Sequence, residues 1–414
     1  MKRQLLYFII FTCCLFTASN KTLFAQDRGS VWVHGFNDGS GQWANWAGTF
    51  EVQRRFTIQS NGNFDSNNGV GNMAGQVRGN YGNNNDAQRI YFGHSMGGVV
   101  GRDIDVNNNG QFGGIITAGA PFDGARVANT AFNGELLNCI GDGLWRILRG
   151  PTAQLGPTTY FVSGVVVNSL PPLFQTVVNQ RLGNNQTVND LQENSGYING
   201  IRNNNTNTPK VSIYGNEDAP VSWRIASTAT GTNFTSIVNT AGDVYEAAMW
   251  VNIGLAAATG WFTFGISAAY YGWVAYEWSV GTDWWRYGSE GNWNYLIGAS
   301  TPSSNTVCYQ QMNWDGFNQC MNAAGNSSAY MSCQQQNTYQ VCYTYYSNVN
   351  GLSDGFIKAS SQSGYNSGWA NNSTRIEAQG VNHLEMGTHE RMGQIYNDIL
   401  NGSGVNGFFI TPTR

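Results

Sequence analysis

A serine, a histidine and an aspartate, in that order along the chain, have the residue types and the surroundings for nucleophilic chemistry. Ser95 stands in Gly93-His94-Ser95-Met96-Gly97, a Gly-x-Ser-x-Gly pentapeptide. Ile90 to Phe92 read as the end of a buried strand, and Val99 and Val100 as the start of an apolar helix. This strand–turn–helix context gives the pentapeptide its meaning, because a sharp turn lifts the hydroxyl out of the sheet. The helix start then lies beneath it, where charge developing on an attacked carbonyl is stabilised. Gly93 and Gly97 have no Cβ, which lets strand and helix crowd around the turn. The expected chemistry is attack on a carbonyl. It requires a base, an acid that orients the base, and two oxyanion donors.

The base is sought among four histidines. His34 ends an early strand, and His94 lies inside the pentapeptide. His383, in Gly380-Val381-Asn382-His383-Leu384-Glu385, follows the strand-like Arg375–Ala378, whereas His389 falls on the helix after it. The loop position favours His383. Two aspartates compete for the acid. Asp354 lies in Ser353-Asp354-Gly355-Phe356-Ile357, and Asp218 follows the strand-like Lys210–Tyr214 directly. An Asp-Gly pair is also an ordinary turn former. The oxyanion donors are expected to be the backbone N–H groups of Met96, next to the serine, and of Phe36. Phe36 sits in the loop His34-Gly35-Phe36 that follows the strand Val31-Trp32-Val33.

Positioning these groups requires a sheet. Trp43–Phe50 reads as helix, Arg55–Ile58 as strand and Gly71–Arg78 as helix. The strand into Ser95 comes next, and Gly114–Ala118 is the strand after that. Strands alternating with helices over short connections predict a mostly parallel sheet covered by helices on both faces.

Val33-His34-Gly35-Phe36, Gly93-His94-Ser95-Met96-Gly97-Gly98 and Thr117-Ala118-Gly119-Ala120-Pro121-Phe122-Asp123-Gly124 together resemble the α/β-hydrolases. The resemblance is closest to the secreted bacterial triacylglycerol lipases. It covers residues 30–130 and 350–390 well and 185–220 loosely. It implies the α/β-hydrolase fold and ester hydrolysis through a Ser–His–Asp triad. It favours Asp354 over Asp218, because those lipases carry their acid in an Asp-Gly-apolar loop. A serine-rich tail and then Asn-His-Leu-acid follow that loop in them. It also implies that part of 130–210 caps the site, and that Val188–Ile198 is the helix before the next strand. Such lipases often carry a calcium-binding aspartate two residues after the histidine. Here the residue is Glu385, so calcium is allowed but not predicted, and no cofactor is required.

Composition narrows the partners. Charged residues are 11% and aromatic residues 13% of the 414, the net charge is −4, and there is no basic run. Nucleic acid is therefore not an expected partner, and the aromatic content excludes a disordered chain. Met1–Ala25 reads as a secretion signal, with Lys2 and Arg3 ahead of the apolar Leu5–Phe16. Residues 26–224 and 346–414 are assigned to the hydrolase core. Residues 225–345 form an aromatic-rich insertion, a lid or cap. Between Glu246 and Glu277 there is no charged residue, but interspersed glycines and polar residues favour two short packed helices over a membrane span. Cys308, Cys320, Cys333 and Cys342 are expected to form two local bridges, in one of three pairings, with Cys139 buried and free. The expectation is a secreted, periplasmic or cell-surface ester hydrolase acting on lipid or other esters at a lipid–water interface. The alternatives are a surface- or polysaccharide-binding protein on the same fold, or an acyltransferase or amidase using the same triad.

Overall fold

The computed structural model describes residues 28–54, 56–81, 86–107, 111–160, 162–164, 185–217, 221–259, 266–300, 303–312, 314–324, 330–347, 351–411 and 413. The signal-like Met1–Ala25 and Asp218 lie outside the described residues. The chain divides into two compact units. One takes in the described residues up to Gly124 with Asn185–Asn216 and Ala359–Arg414; the other comprises Ala125–Asn184 and Glu217–Lys358.

The first unit holds a six-stranded sheet. Its strands are β1 (Arg28–Val33), β2 (Phe56–Ser60), β3 (Asp86–His94), β4 (Phe112–Ala118) and β5 (Lys210–Asn216). After β6 (Ser303–Met312) and β7 (Thr338–Ser347) of the second unit comes its last strand, β8 (Ser373–Gln379). The order is β2-β1-β3-β4-β5-β8, and every neighbouring pair is parallel. Side chains alternate between faces along a strand, and here both faces are apolar. Val31, Val33, Tyr91 and Ile115 pack on one side, against α2 (Val70–Tyr81) and α3 (Met96–Asn107). Trp32, Ile90, Phe92 and Ile116 pack on the other, with α1 (Ala44–Gln53) and the C-terminal helix Glu390–Leu400. Near-continuous apolar strands are what a parallel sheet covered on both sides requires. The expected fold class is thus present.

Val188–Ile198 is not one helix. It splits into Gln186–Leu191 and Gly196–Arg202. Asn194 takes a left-handed φ of 64°, and the Ser195 hydroxyl accepts the Ile198 N–H to start the second piece, a serine N-cap.

The second unit is built on helices. The helix α4 (Glu135–Gln154) is followed by α5 (Phe234–Thr259) and α6 (Ile266–Asp283). These last two were expected to be short, but run to 26 and 18 residues. Alanine-rich stretches sustain helix across the scattered glycines. No helix among the described residues is long and apolar enough to cross a membrane. Between α4 and α6 the Arg149 guanidinium grips the Glu277 carboxylate, which also accepts the Tyr160 hydroxyl at 3.1 Å. One of the expected bridges is Cys320–Cys333. Cys308 and Cys342 are register partners in the antiparallel pair β6–β7; their side chains lie outside the described residues. Cys139 is free but only half-buried, because the helix that carries it lines an open cavity.

Candidate active site

Ser95 is the single residue between the end of β3 and the start of α3. Its φ is +51°. The other non-glycine residues described with positive φ are Asn37, Asn194 and Asn372, and asparagine tolerates that region far better than serine does. Such a conformation costs about 1–3 kcal/mol and persists only where its surroundings impose it. Here the Ser95 N–H donates to Ala118 O at the end of β4 (2.9 Å). The Tyr91 hydroxyl donates to Gly97 O (2.5 Å) and so ties the helix start back to the strand. A Cβ at Gly97 would stand 2.5 Å from Val33 O and 2.6 Å from His34 O. One at Gly35 would stand 3.0 Å from both the His94 ring and Ser95 Cβ. The turn and the loop after β1 are therefore in backbone contact, and glycine permits it.

His383 opens the single turn His383–Glu385 after β8. That turn is fixed by a capping box: the Asn382 side chain accepts the Leu384 N–H (3.0 Å), and the Glu385 carboxylate reaches back to the Asn382 N–H (3.5 Å). The Gly380 N–H donates to Asn216 O (2.8 Å), anchoring the approach to β5. His383 Nε2 lies 2.9 Å from Ser95 Oγ, and both residues are buried. A parallel sheet in this order now carries a strained serine after its third strand and a histidine after its last. This is the α/β-hydrolase fold.

The loop after β1 is held on both sides of Phe36. Asn37 N–H donates to Ser66 Oγ (2.9 Å) and Gly35 N–H to Gln42 Oε1 (3.1 Å). His34 contributes through its own ring. Its Nε2 accepts the Phe64 N–H (3.0 Å), so its proton sits on Nδ1 and is donated to Gly35 O (2.8 Å). Met96 is the first residue of α3, and the first N–H groups of a helix have no partner within it. His94 is buried, with its ring 4.8 Å from that of His383. Burial first, and then the neighbouring His383, hold it well below the usual histidine range. His389 lies just ahead of the C-terminal helix rather than on it: its Nδ1 accepts the Arg391 N–H (3.1 Å) as an N-cap. Sequence reasoning missed Gln42 and the capping box. The Asn-x-x-Glu spacing of 382 and 385 was a usable signal for the second.

Asp354 belongs to the second unit and is fully buried. One carboxylate oxygen accepts the N–H groups of Phe356 (3.0 Å) and Ile357 (2.8 Å), closing its own turn. The turn passes through Gly355 at φ +92°. Trp293 Nε1 donates to Gly355 O (2.7 Å) and Glu217 N–H to Ser353 O (2.8 Å). Among the described residues no group of three or more histidines, cysteines or acids is disposed to hold a metal ion; Glu385 serves as a cap. The second unit also contains an apolar cavity of about 310 Å³, lined by Leu136, Leu144, Trp223, Trp284 and Trp293 together with Cys139. Burial pushes the Cys139 thiol up to about 12, so it stays protonated.

No family model and no curated protein matches the chain. Among solved structures it is similar to the Bacillus licheniformis lipase BlEst2 in its mature form. The identity is 16% and the TM-score 0.27, over 50% of this chain and 76% of that one. The propeptide form of the same lipase gives 15% and 0.26, over 46% and 36%. An extracellular α/β-hydrolase from a Paenibacillus species gives 16% and 0.26, over 45% and 77%.

Proposed function

We propose that the protein is a secreted serine hydrolase that cleaves carboxylic esters of lipids. The observation that carries this reading is the 2.9 Å approach of His383 Nε2 to Ser95 Oγ at a strained turn on a helix N-terminus. In the mechanism, His383 takes the Ser95 hydroxyl proton as Oγ attacks the ester carbonyl. The N–H groups of Phe36 and Met96 receive the oxyanion. As the intermediate collapses, His383 returns the proton to the departing alcohol. It then deprotonates the water that attacks the acyl-enzyme and passes that proton to Ser95 Oγ as the acid departs. Asp354 is the acid that orients His383 and stabilises its charged form. Its burial and its backbone-fixed carboxylate favour that role.

Two features favour apolar esters and export. The second unit exposes Val244, Trp250 and Val251 on α5, each more than half accessible, and carries the apolar cavity. The bridge Cys320–Cys333 suits an oxidising compartment, in line with the signal-like Met1–Ala25. The test is hydrolysis of p-nitrophenyl esters of increasing chain length, with fluorophosphonate labelling of the same preparation. Ser95→Ala should abolish labelling and lower kcat by about 10⁴-fold or more. Asp354→Asn should lower kcat by about 10⁴-fold with labelling slowed. A maximum at long chains supports the lipid reading. Activity that survives Ser95→Ala overturns the hydrolase reading, and a short-chain maximum overturns its lipid part.

A further inference from the structure

Three hydrogen bonds join the loop after β1 to the loop that carries His383. Gly35 N–H faces Gln42 Oε1 (3.1 Å), the Gln42 amide nitrogen faces His94 Nδ1, and His94 Nε2 faces His383 O (3.1 Å). Amide and imidazole orientations are normally ambiguous, because oxygen, nitrogen and ring-proton positions must be inferred from partners. Here both ends remove the ambiguity. A backbone N–H can only donate, so the Gln42 atom facing Gly35 is the oxygen. Its NH₂ group then faces His94, and NH₂ can only donate, so His94 Nδ1 is the acceptor. The ring proton is left on Nε2, where it meets a carbonyl that can only accept. The relay therefore runs one way, from Gly35 to His383.

Resting on the proposed roles of Ser95 and His383, we infer that Gln42 is a positioning residue: it fixes the tautomer of His94, which holds the backbone of His383. The relay also keeps His94 neutral. A second proton on Nδ1 would point at the Gln42 NH₂ group, donor against donor. Neutrality matters because the two rings are 4.8 Å apart and His383 becomes charged during catalysis. A second imidazolium at that range would oppose the proton transfer. Trp43 packs edge-on against the His94 ring (6.4 Å, 83°), and its own Nε1 donates to Val33 O (3.0 Å).

The experiment uses the full chain with ¹⁵N-labelled histidine. With four histidines in the sequence, two-bond ¹H–¹⁵N spectra can be assigned by single replacements. Wild-type His94 should be neutral with its proton on Nε2. Gln42→Glu keeps the acceptor for Gly35 but loses the donor, so His94 must move its proton to Nδ1 or become charged. Gln42→Met removes both bonds at nearly constant volume and should leave the tautomer mixed. Each variant should lower kcat by about 10–100-fold, with KM within about twofold, as expected for a base displaced by a fraction of an ångström. Gln42 is half-buried in a single turn, and thermal melts check that the variants fold. A wild-type His94 protonated on Nδ1 overturns the inference. So do variants whose His94 spectrum and kcat match wild type. The hydrolase reading fails separately, on activity in Ser95→Ala, and the His94 spectra still decide the relay in that case.

Discussion

Replacing Gly97 by alanine adds one methyl group where the structure has no room for it. The new Cβ would lie 2.5 Å from Val33 O and 2.6 Å from His34 O. A carbon–oxygen contact settles at about 3.3 Å, so strand and helix must separate by about 0.8 Å. Both oxygens belong to backbone, one at the end of β1 and one in the loop that follows it, and no side chain can swing away to absorb the strain. Overpacking of this kind costs about 1–3 kcal/mol, or a fall in Tm of roughly 2–12 °C for a unit of this size. The displacement also separates the loop of Gly35 and Phe36 from the turn of Ser95. A misplacement of that size lowers kcat by about 10²-fold. Gly75→Ala is the control. Gly75 sits in mid-α2, exposed, with nothing within 4 Å of its new Cβ. There the same methyl group should raise stability by about 0.4–1 kcal/mol and leave kcat unchanged. Thermal melts and ester hydrolysis on the two variants decide the matter. Gly97→Ala with an unchanged Tm and kcat would refute the reasoning that backbone contact sets the geometry of the turn.

Two further outcomes follow from buried charge. Lys210 is fully buried, with its ammonium on Thr206 O (3.1 Å) and Thr208 O (3.0 Å) and 3.8 Å from Asp105. Burial lowers it to about 8, against the opposing pull of Asp105. With the folded value below the unfolded one, the unfolded chain binds more protons from about pH 8 to 10.5, and this group makes stability rise with pH there. Its contribution is complete above the unfolded value and is lost as pH falls through about 8; Lys210→Met, compared with wild type by denaturant melts across that range, should remove the rise. In the second unit, Glu277→Leu strands the buried Arg149 and should cost about 3–5 kcal/mol, whereas Arg149→Met with Glu277→Leu should cost far less. A double-variant loss equal to the sum of the two single losses would show that the pair is not coupled.

What could be read from the sequence follows from how each part of the site is built. Ser95 was legible because a strained turn between a strand and a helix admits few residues on either side, and Gly93 and Gly97 mark the contacts that Cβ atoms would block. His383 was legible because it follows the last strand of an alternating pattern. Gln42 left no such mark. Its role depends on a carboxamide that meets a ring 52 residues away, and glutamine on a half-buried turn is compatible with many neighbours. Phe36 lies between the two: its loop was legible, while the partners that hold it, Ser66 and Gln42, were not.

The same distinction accounts for the second unit. Its helices carry few charges over long stretches, so periodicity is weak, and α5 and α6 emerge longer than their glycines suggest. The feature that ties α4 to α6 is one ion pair 128 residues apart, Arg149–Glu277. In the sequence Glu277 marked only the far edge of an uncharged stretch. Its burial beside Arg149 and Tyr160 gives that edge a reason: a chain this poor in charge spends one carboxylate to fix how two apolar helices register. Apolar surfaces alone slide past one another, because their attraction is non-directional. A bidentate guanidinium–carboxylate contact does not. If that is the role of the pair, the Arg149→Met/Glu277→Leu protein should keep its helix content but melt less cooperatively than wild type, which circular dichroism measures directly.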